Sequence, residues 1–484
     1  MNRVLIFVFD GLQMSQVTPD LMPNLATFAA EGVRFEDHHS VFPTVTRVNA
    51  VSMTTGCYPG GHGIAGNSFV DRESDPGRVV PALRPELLEV FGRAGRLLLA
   101  PNLAGILGDH GEEYVAVGSG STGNAYLHNP DAVRAGGATV HLEFCEPDGL
   151  HQELTSRFGP WPGPGYPAEE RLRHGITVLT EYVLAERDPA VALFWSSEPD
   201  ACQHRDGVGS DLATRSLAAA DRQLGRLFAW LEETGRDAHT DVLVAADHGY
   251  STVAEDVKIE RLVADAGFPP HGEKDGVVVA SNGGSVLFYV GERDRATANR
   301  LAAWLMAQPW CGALVAAGAL GGVEGTLPAA LVGIEGPRAP DLTMSFAWNS
   351  RPNRYGYAGH VYNEGKAPGQ GNHGSMSRHE QRCALIARGP SFGQGVALQT
   401  PSGNVDITPT VLRVLGLDGL DSLDGRALAE ALVDGQGPGL VIPAAETHTA
   451  ERAVAGGVYR QNITVTRVGK TAYVDEGNAR LDTR

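Results

Sequence analysis

Four short runs constrain this chain more than anything else in it: RVLIFVF at 3–9, VALFWSS at 191–197, DVLVAAD at 241–247 and ALIARGP at 384–390. Each is apolar and rich in β-branched, aromatic or small side chains. A run of that kind has no polar face to turn toward water, so it predicts a strand buried on both sides of a sheet. Between the runs lie stretches with helical spacing: MPNLATFAAE at 22–31, the long amphipathic segment 212–234, and ITPTVLRVLGL at 407–417, stopped by Gly416. Strands alternating with helices imply an α/β fold, a mostly parallel sheet flanked by helices. Residues 254–369 lose that rhythm. They carry strand pieces such as GVVVA and SVLFYV among many Gly and Pro, and read as a cap region inserted over one end of the sheet. The expected organisation is one domain over 1–440, interrupted by this cap at 254–369, with a strand-rich appendage at 441–484.

Composition removes several classes. A formal net charge of -18 over 484 residues opposes general binding to a nucleic-acid backbone. An acidic protein still binds an anion locally where metal ions or a helix N-terminus supply positive field. The five cysteines (Cys57, Cys145, Cys202, Cys311, Cys383) are odd in number and form no CxxC pair. That argues against a disulfide framework and a thiolate zinc site, and for small buried side chains. No run approaches the roughly 18 apolar residues of a membrane span, and none resembles a secretory leader, so the expectation is a cytoplasmic chain. The sequence does not speak to oligomeric state.

Acidic residues follow the predicted strands. Asp10 comes directly after the first, Asp247–His248 after the third, and Asp200 a short loop after the second, in SSEPDACQH. Ligands of parallel sheets bind outside the carboxyl ends of the strands, so three carboxylates are expected along one edge. Asp200 and His204 are four apart, and one helical turn places them on one face. His373 sits in the glycine-rich GQGNHGS. Carboxylate oxygens with neutral imidazole nitrogens suit zinc first, with manganese or iron as alternatives. Two such ions about 3.5–4 Å apart make the clamp used for in-line phosphoryl displacement. The other Asp-His pairs, Asp37–His38 and Asp109–His110, follow no buried strand. GSGSTG at 118–123 offers a rival. It fits GxGxxG after the strand-like YVAV, with Glu143 twenty residues beyond Gly123, as an NAD(P)-binding oxidoreductase requires. The long helix such a site needs is missing before Pro130, so the loop reads instead as a wall of the substrate cleft.

The stretch VFPTVTRVNAVSMTTGCYPGGHG at 41–63 holds six side chains that could attack a substrate: Thr44, Thr46, Ser52, Thr54, Thr55 and Cys57. Thr54 and Thr55 lie at a helix end, where such hydroxyls bond backbone. CYPGG is similar to the start of a sulfatase C-x-P-x-R motif, but Gly61 stands where arginine is needed. Local reading leaves the choice open, because a weak nucleophile needs a partner that activates it.

Taken together, FVFDGL, PTVTRVNAVSMTTGCYPGGHGI, EPDACQH, AADHGYS, GNHGS and VDITPTVLRVLGL resemble the alkaline phosphatase superfamily, and within it the nucleotide pyrophosphatase/phosphodiesterase branch. The resemblance covers most of the chain outside 254–369. It implies an alkaline-phosphatase-like fold, one metal ion held by Asp10, Thr46, Asp247 and His248, and a second held by Asp200, His204 and His373. It implies Thr46 as nucleophile, with the Asn49 amide donating to a phosphoryl oxygen. The implied activity is metal-dependent hydrolysis of small phosphate diesters or pyrophosphate-type substrates through a Thr-phosphoryl intermediate. Phosphomonoester hydrolysis and the C–P hydrolysis of phosphonoacetate hydrolases are the alternatives. Two departures bear on substrate. Arg47 follows Thr46 where nucleotide-cleaving relatives carry an aromatic residue, and a guanidinium there suits a phosphoryl oxygen or an acidic substituent. The lysines Lys258, Lys274, Lys366 and Lys470 all lie after Asp247, whereas phosphonoacetate hydrolases place theirs before it.

Overall fold

Strand alternation decides how the sheet is covered. In the first strand, Arg3–Phe9, Leu5, Phe7 and Phe9 pack into one core layer while Val4, Ile6 and Val8 pack into the other. Both faces are therefore buried, at roughly 1.5–3 kcal/mol per large apolar side chain. The computed structural model describes residues 2–270, 275–417, 422–435 and 443–483; Lys274 and the expected boundary at 440/441 lie outside them.

The main sheet has nine strands. Its centre is Thr240–Ala246, Arg3–Phe9, Val191–Ser196, Tyr114–Gly118 and Ala138–His141, all mutually parallel. The fourth apolar run forms Leu385–Arg388, which joins this block antiparallel to Thr240–Ala246. On one face lie Pro23–Glu31 and the long helix Asp211–Glu233, started by the Ser210 hydroxyl accepting from the Ala213 amide. Leu217, Leu224, Leu227 and Leu231 repeat at helical spacing toward Phe7 and Phe194. On the other face lie Thr46–Thr55, Leu103–Asp109 and Ile407–Leu415. All five cysteines are buried and free.

Residues within 254–369 build a second layer. Val277–Ser281, Ser285–Val290, Leu342–Phe346, Cys311–Ala316 and Leu327–Pro328 form a five-stranded sheet backed by Arg295–Met306. A four-stranded ribbon connects it to the main sheet, and its strand Gly371–Asn372 pairs antiparallel with Ser251–Thr252. That pairing returns the chain to the ends of the main strands just before His373. Residues 444–483 form a three-stranded antiparallel sheet whose Ile463, Val465 and Val474 pack on Ala313 and Val315. Among the described residues, no helix is long and apolar enough to cross a membrane.

Candidate active site

Register places the first carboxylates. Phe9 pairs with Ala246 on one side and Ser196 on the other, so the chain leaves three parallel strands at one level. Asp10 and Asp247 are the next residues on neighbouring strands and stand side by side. The Asp247 Oδ1 accepts from the Gly11 amide at 2.9 Å. Gly11 must be glycine: its φ is +74°, and a Cβ there would meet the Tyr250 ring at 2.7 Å. The loop after Val191–Ser196 folds back, with the Asp200 amide on the Asp10 carbonyl at 3.0 Å, and the helix Asp200–Asp206 then turns Asp200 and His204 the same way.

Two clusters of donors result. In the first, His248 Nε2 lies 3.1 Å from Asp247 Oδ2 and 3.5 Å from Asp10 Oδ1. In the second, His204 Nε2 and His373 Nε2 are 3.2 Å apart, at 3.3 and 3.4 Å from Asp200 Oδ1. The clusters adjoin, since the His248 and His373 rings stack with centroids 3.5 Å apart. All three imidazoles have Nδ1 against a backbone carbonyl: His248 on Gly249, His204 on Gly371 and His373 on Thr44. An Nδ1–H donating there leaves each Nε2 with a lone pair, the tautomer a metal ligand requires. Asp10 Oδ1 and Asp247 Oδ2 are buried and have no hydrogen-bond partner. Orphaned carboxylate oxygens facing nitrogen lone pairs fit divalent cations and little else.

Electrostatics separate the two groups. Burial, then the neighbouring Asp247 and Asp200, holds the Asp10 carboxyl well above its usual range. Burial pushes Asp247 up to about 7. Burial acts the same way on Asp200, but His204, His373 and His248 outweigh it and pull its carboxyl down. Burial lowers His204 to about 4, and lowers His248 well below the usual imidazole value. Burial opposes protonation of His373 too, but the facing Asp200 carboxylate wins and raises it. Two further side chains orient the carboxylates. Trp195 Nε1 donates to Asp10 Oδ2 at 3.1 Å, and the Tyr250 hydroxyl donates to Asp200 Oδ1 at 2.6 Å.

Location separates the six hydroxyl and thiol candidates. Of the six candidates, Thr46 alone lines the cavity of about 380 Å³ that also exposes Asp10, Asp200, His204 and His373. Its Oγ1 lies 3.5 Å from His248 Nε2, at the first turn of Thr46–Thr55, which carries no acidic side chain there. Thr44 donates to the Ser375 carbonyl, Ser52 contacts His62, and Thr54 and Thr55 bond carbonyls one turn back. Cys57 is buried, which pushes its thiol up to about 11. A larger open groove of about 900 Å³, lined by Arg215, Asn353 and Tyr355, contains none of these donors.

One expected residue is misplaced by the sequence reading. Asn49 is 0% exposed and does not line the cavity. Its Nδ2 donates to the Val41 and Val45 carbonyls, and its Oδ1 accepts from the Val41 and Asn404 nitrogens. Asn49 therefore splints the loop that delivers Thr46, with no donor left for a phosphoryl oxygen. Two asparagines do line the cavity, Asn67 and Asn124. The Asn67 Oδ1 accepts from the Arg47 amide at 3.1 Å, and its Nδ2 has no protein partner among the described residues. Nothing local marks Asn67, which reaches Thr46 only through tertiary packing. Arg47 does line the cavity, with Nη2 on the Ser121 hydroxyl at 2.9 Å. Ser119, Gly120 and Ser121 of the GSGSTG loop line it too, and the helix after them, Thr122–His128, is seven residues long.

Residues 4–375 match the model of the type I phosphodiesterase / nucleotide pyrophosphatase family. Over 257 residues the chain is 25% identical to bis(5'-adenosyl)-triphosphatase enpp4 of Xenopus laevis, covering 52% of this chain and 48% of the relative. Over 428 residues it is 24% identical to ectonucleotide pyrophosphatase/phosphodiesterase C27A7.3 of Caenorhabditis elegans, covering 86% of this chain and 47% of that one. The chain spans about half the length of these curated relatives. In fold it is similar to murine ectonucleotide pyrophosphatase/phosphodiesterase 5, solved as an inactive variant in complex with AMP. That likeness has a TM-score of 0.62 at 16% identity and covers 87% of this chain and 96% of the murine one.

Proposed function

Because the chain belongs to the type I phosphodiesterase / nucleotide pyrophosphatase family, we propose that it hydrolyses phosphodiester or pyrophosphate bonds of small molecules, with Thr46 as nucleophile. The observation that carries the reading is the position of the Thr46 hydroxyl at the mouth of two adjoining donor clusters. Asp10, Asp247 and His248, with Thr46, would hold one divalent cation; Asp200, His204 and His373 would hold the other. Such a pair, zinc by the chemistry of its donors, supplies Lewis-acid charge opposite the attacking and leaving oxygens.

The residues divide the remaining work. Thr46 Oγ1 attacks phosphorus and forms a phosphothreonine ester as the P–O bond to the alcohol or phosphate breaks, the threonine proton passing by way of water to the departing oxygen. Asn67 Nδ2 donates to a non-bridging oxygen as charge grows on it. The Nδ1 bonds of the three histidines keep their Nε2 atoms turned inward throughout. Water then displaces the phosphoryl group from Thr46, and two in-line displacements leave configuration at phosphorus retained. Names of relatives point to nucleotide polyphosphates as a first substrate set to try.

The test is Thr46→Ala assayed on bis-p-nitrophenyl phosphate. Turnover should fall by at least about a thousandfold, with divalent-ion content by elemental analysis unchanged. Near-wild-type turnover would refute Thr46 as nucleophile.

A further inference from the structure

Two guanidiniums face the cavity beside Thr46 without a carboxylate partner, in a chain where most arginines are ion-paired. Arg47, in the first turn of the nucleophile helix, spends Nη2 on Ser121 Oγ, while its Nε is buried with no acceptor. Arg171, in the first turn of Glu169–Val178, spends Nε on the Pro162 carbonyl at 3.1 Å, and its Nη atoms have no acceptor among the described residues. Both line the same cavity as Thr46. Asn124, 2% exposed, lines it as well, and its Oδ1 has no partner.

The cavity's carboxylates do not explain these cations. Asp10 and Asp200 belong to the donor clusters, and no ion pair links them to either arginine. The donors left unmet, the buried Arg47 Nε and the Arg171 Nη atoms, carry positive charge that a bound anion stabilises in this partly buried wall. The rest of the wall is polar or small: Ser119, Gly120, Ser121 and Gly165. Tyr166 is the one phenolic or indole ring in the lining among the described residues; it stands at the rim, 53% exposed. A flat apolar substituent finds no platform beside Thr46.

We infer that Arg47 and Arg171 form a second anion subsite, selecting substrates whose scissile phosphoryl group bears an organic substituent with its own carboxylate or phosphoryl group. This rests on the phosphoryl-transfer reading above. It goes beyond that reading in fixing the charge of the substituent. Planar guanidiniums bind both anions in two-pronged fashion, and the distance from the subsite to the phosphorus separates them by linker length.

The experiment uses three 4-nitrophenyl diesters differing in the second alcohol: ethyl, carboxymethyl and 2-phosphonoethyl. Wild type should favour at least one anionic diester about tenfold in kcat/KM over the ethyl ester, and the favoured anion names the substituent. Arg47→Gln and Arg171→Gln should bring that ratio near one, and Arg171→Lys should keep part of it, which a general folding defect would not do. A second readout needs no turnover. By calorimetry on zinc-loaded Thr46→Ala protein, 2-phosphoglycolate or 2-phosphonoethyl phosphate should bind about tenfold tighter than ethyl phosphate, and the arginine variants should erase the difference. Thr46-dependent cleavage of the ethyl ester with a ratio near one would overturn the subsite alone. Cleavage of all three esters that survives Thr46→Ala would overturn the phosphoryl-transfer reading. Binding of both anionic phosphates no tighter than ethyl phosphate by the Thr46→Ala protein would overturn the subsite even if no diester were cleaved.

Discussion

The two donor clusters are built from similar groups, yet one is made by the sheet and the other by loops. Asp10, Asp247 and His248 hang from the ends of two paired parallel strands, with side chains 7, 0 and 0% exposed. Asp200 and His204 lie on a short helix, and His373 on a glycine-rich turn, with side chains 17, 21 and 5% exposed. In the looped cluster the carboxylate already has partners, two imidazoles and the Tyr250 hydroxyl, and its charged form is favoured. In the sheet-end cluster two carboxylates are pressed together with orphaned oxygens, and their charged forms are disfavoured. One cluster is tolerable by itself; the other stores repulsion that a cation relieves.

The sharpest way to break that comparison is to neutralise one carboxylate in each cluster. Asp247→Asn and Asp200→Asn should each cost about one bound divalent equivalent and at least about a thousandfold in turnover. Their effects on chelator-treated protein should have opposite signs. Asp247→Asn removes like-charge crowding and should raise the melting temperature. Asp200→Asn leaves His373 facing a neutral amide and should lower it. Equal signs by differential scanning calorimetry would erase the distinction.

The next effects concern the orienting donors. Tyr250→Phe deletes a short charge-assisted bond to Asp200, and Trp195→Phe deletes the donor to Asp10. Each should weaken divalent-ion affinity, measured by competition with a chromogenic chelator, by about tenfold. Tyr250→Phe should affect the more exposed ion, and Trp195→Phe the deeper one.

The last effect touches stability rather than turnover or metal, and lies behind the deep cluster. His128 stacks on Trp195 with centroids 4.6 Å apart, and both its ring nitrogens are buried without partners. Burial holds it down at about 3 against an ordinary 6.5. A histidine depressed in the folded state loses stability as pH falls below the unfolded value, because the unfolded chain takes up the proton first. The loss amounts to about 2 kcal/mol at pH 5. His128→Phe should therefore be gained stability at pH 5 relative to pH 8, read from urea midpoints. A variant whose pH dependence matched wild type would remove His128 as the cause.

Much of this was legible in the sequence, for identifiable reasons. A strand buried on both faces announces itself as an apolar run, so Arg3–Phe9, Val191–Ser196 and Thr240–Ala246 fell within a residue of expectation. An acid directly after such a run has no structural reason to be there, and Asp10, Asp200 and Asp247 do gather at one edge of the sheet with His204, His248 and His373. The strand Leu385–Arg388 was visible as a strand, but its antiparallel direction was not, since direction depends on where the chain returns from. Asn49 was carried over from the family pattern, which places an asparagine three residues after the nucleophilic threonine. In this chain its amide is spent on the Val41 and Val45 carbonyls, which holds it inside the packing. Asn67 and Arg171 carried no local signature at all, being brought to Thr46 by contacts across long sequence separations.

The bond from His373 Nδ1 to the Thr44 carbonyl, and from the Gly374 amide to the Thr44 hydroxyl, has a consequence for how the site moves. Thr44 stands two residues before Thr46, while His373 and Gly374 close the ribbon that leads to the second layer. The Thr46 hydroxyl and one wall of its cavity are thus fastened to a shared post. A displacement that reaches the ribbon from the far layer is felt at Thr46 as a change of aim, with no residue of the reaction itself altered.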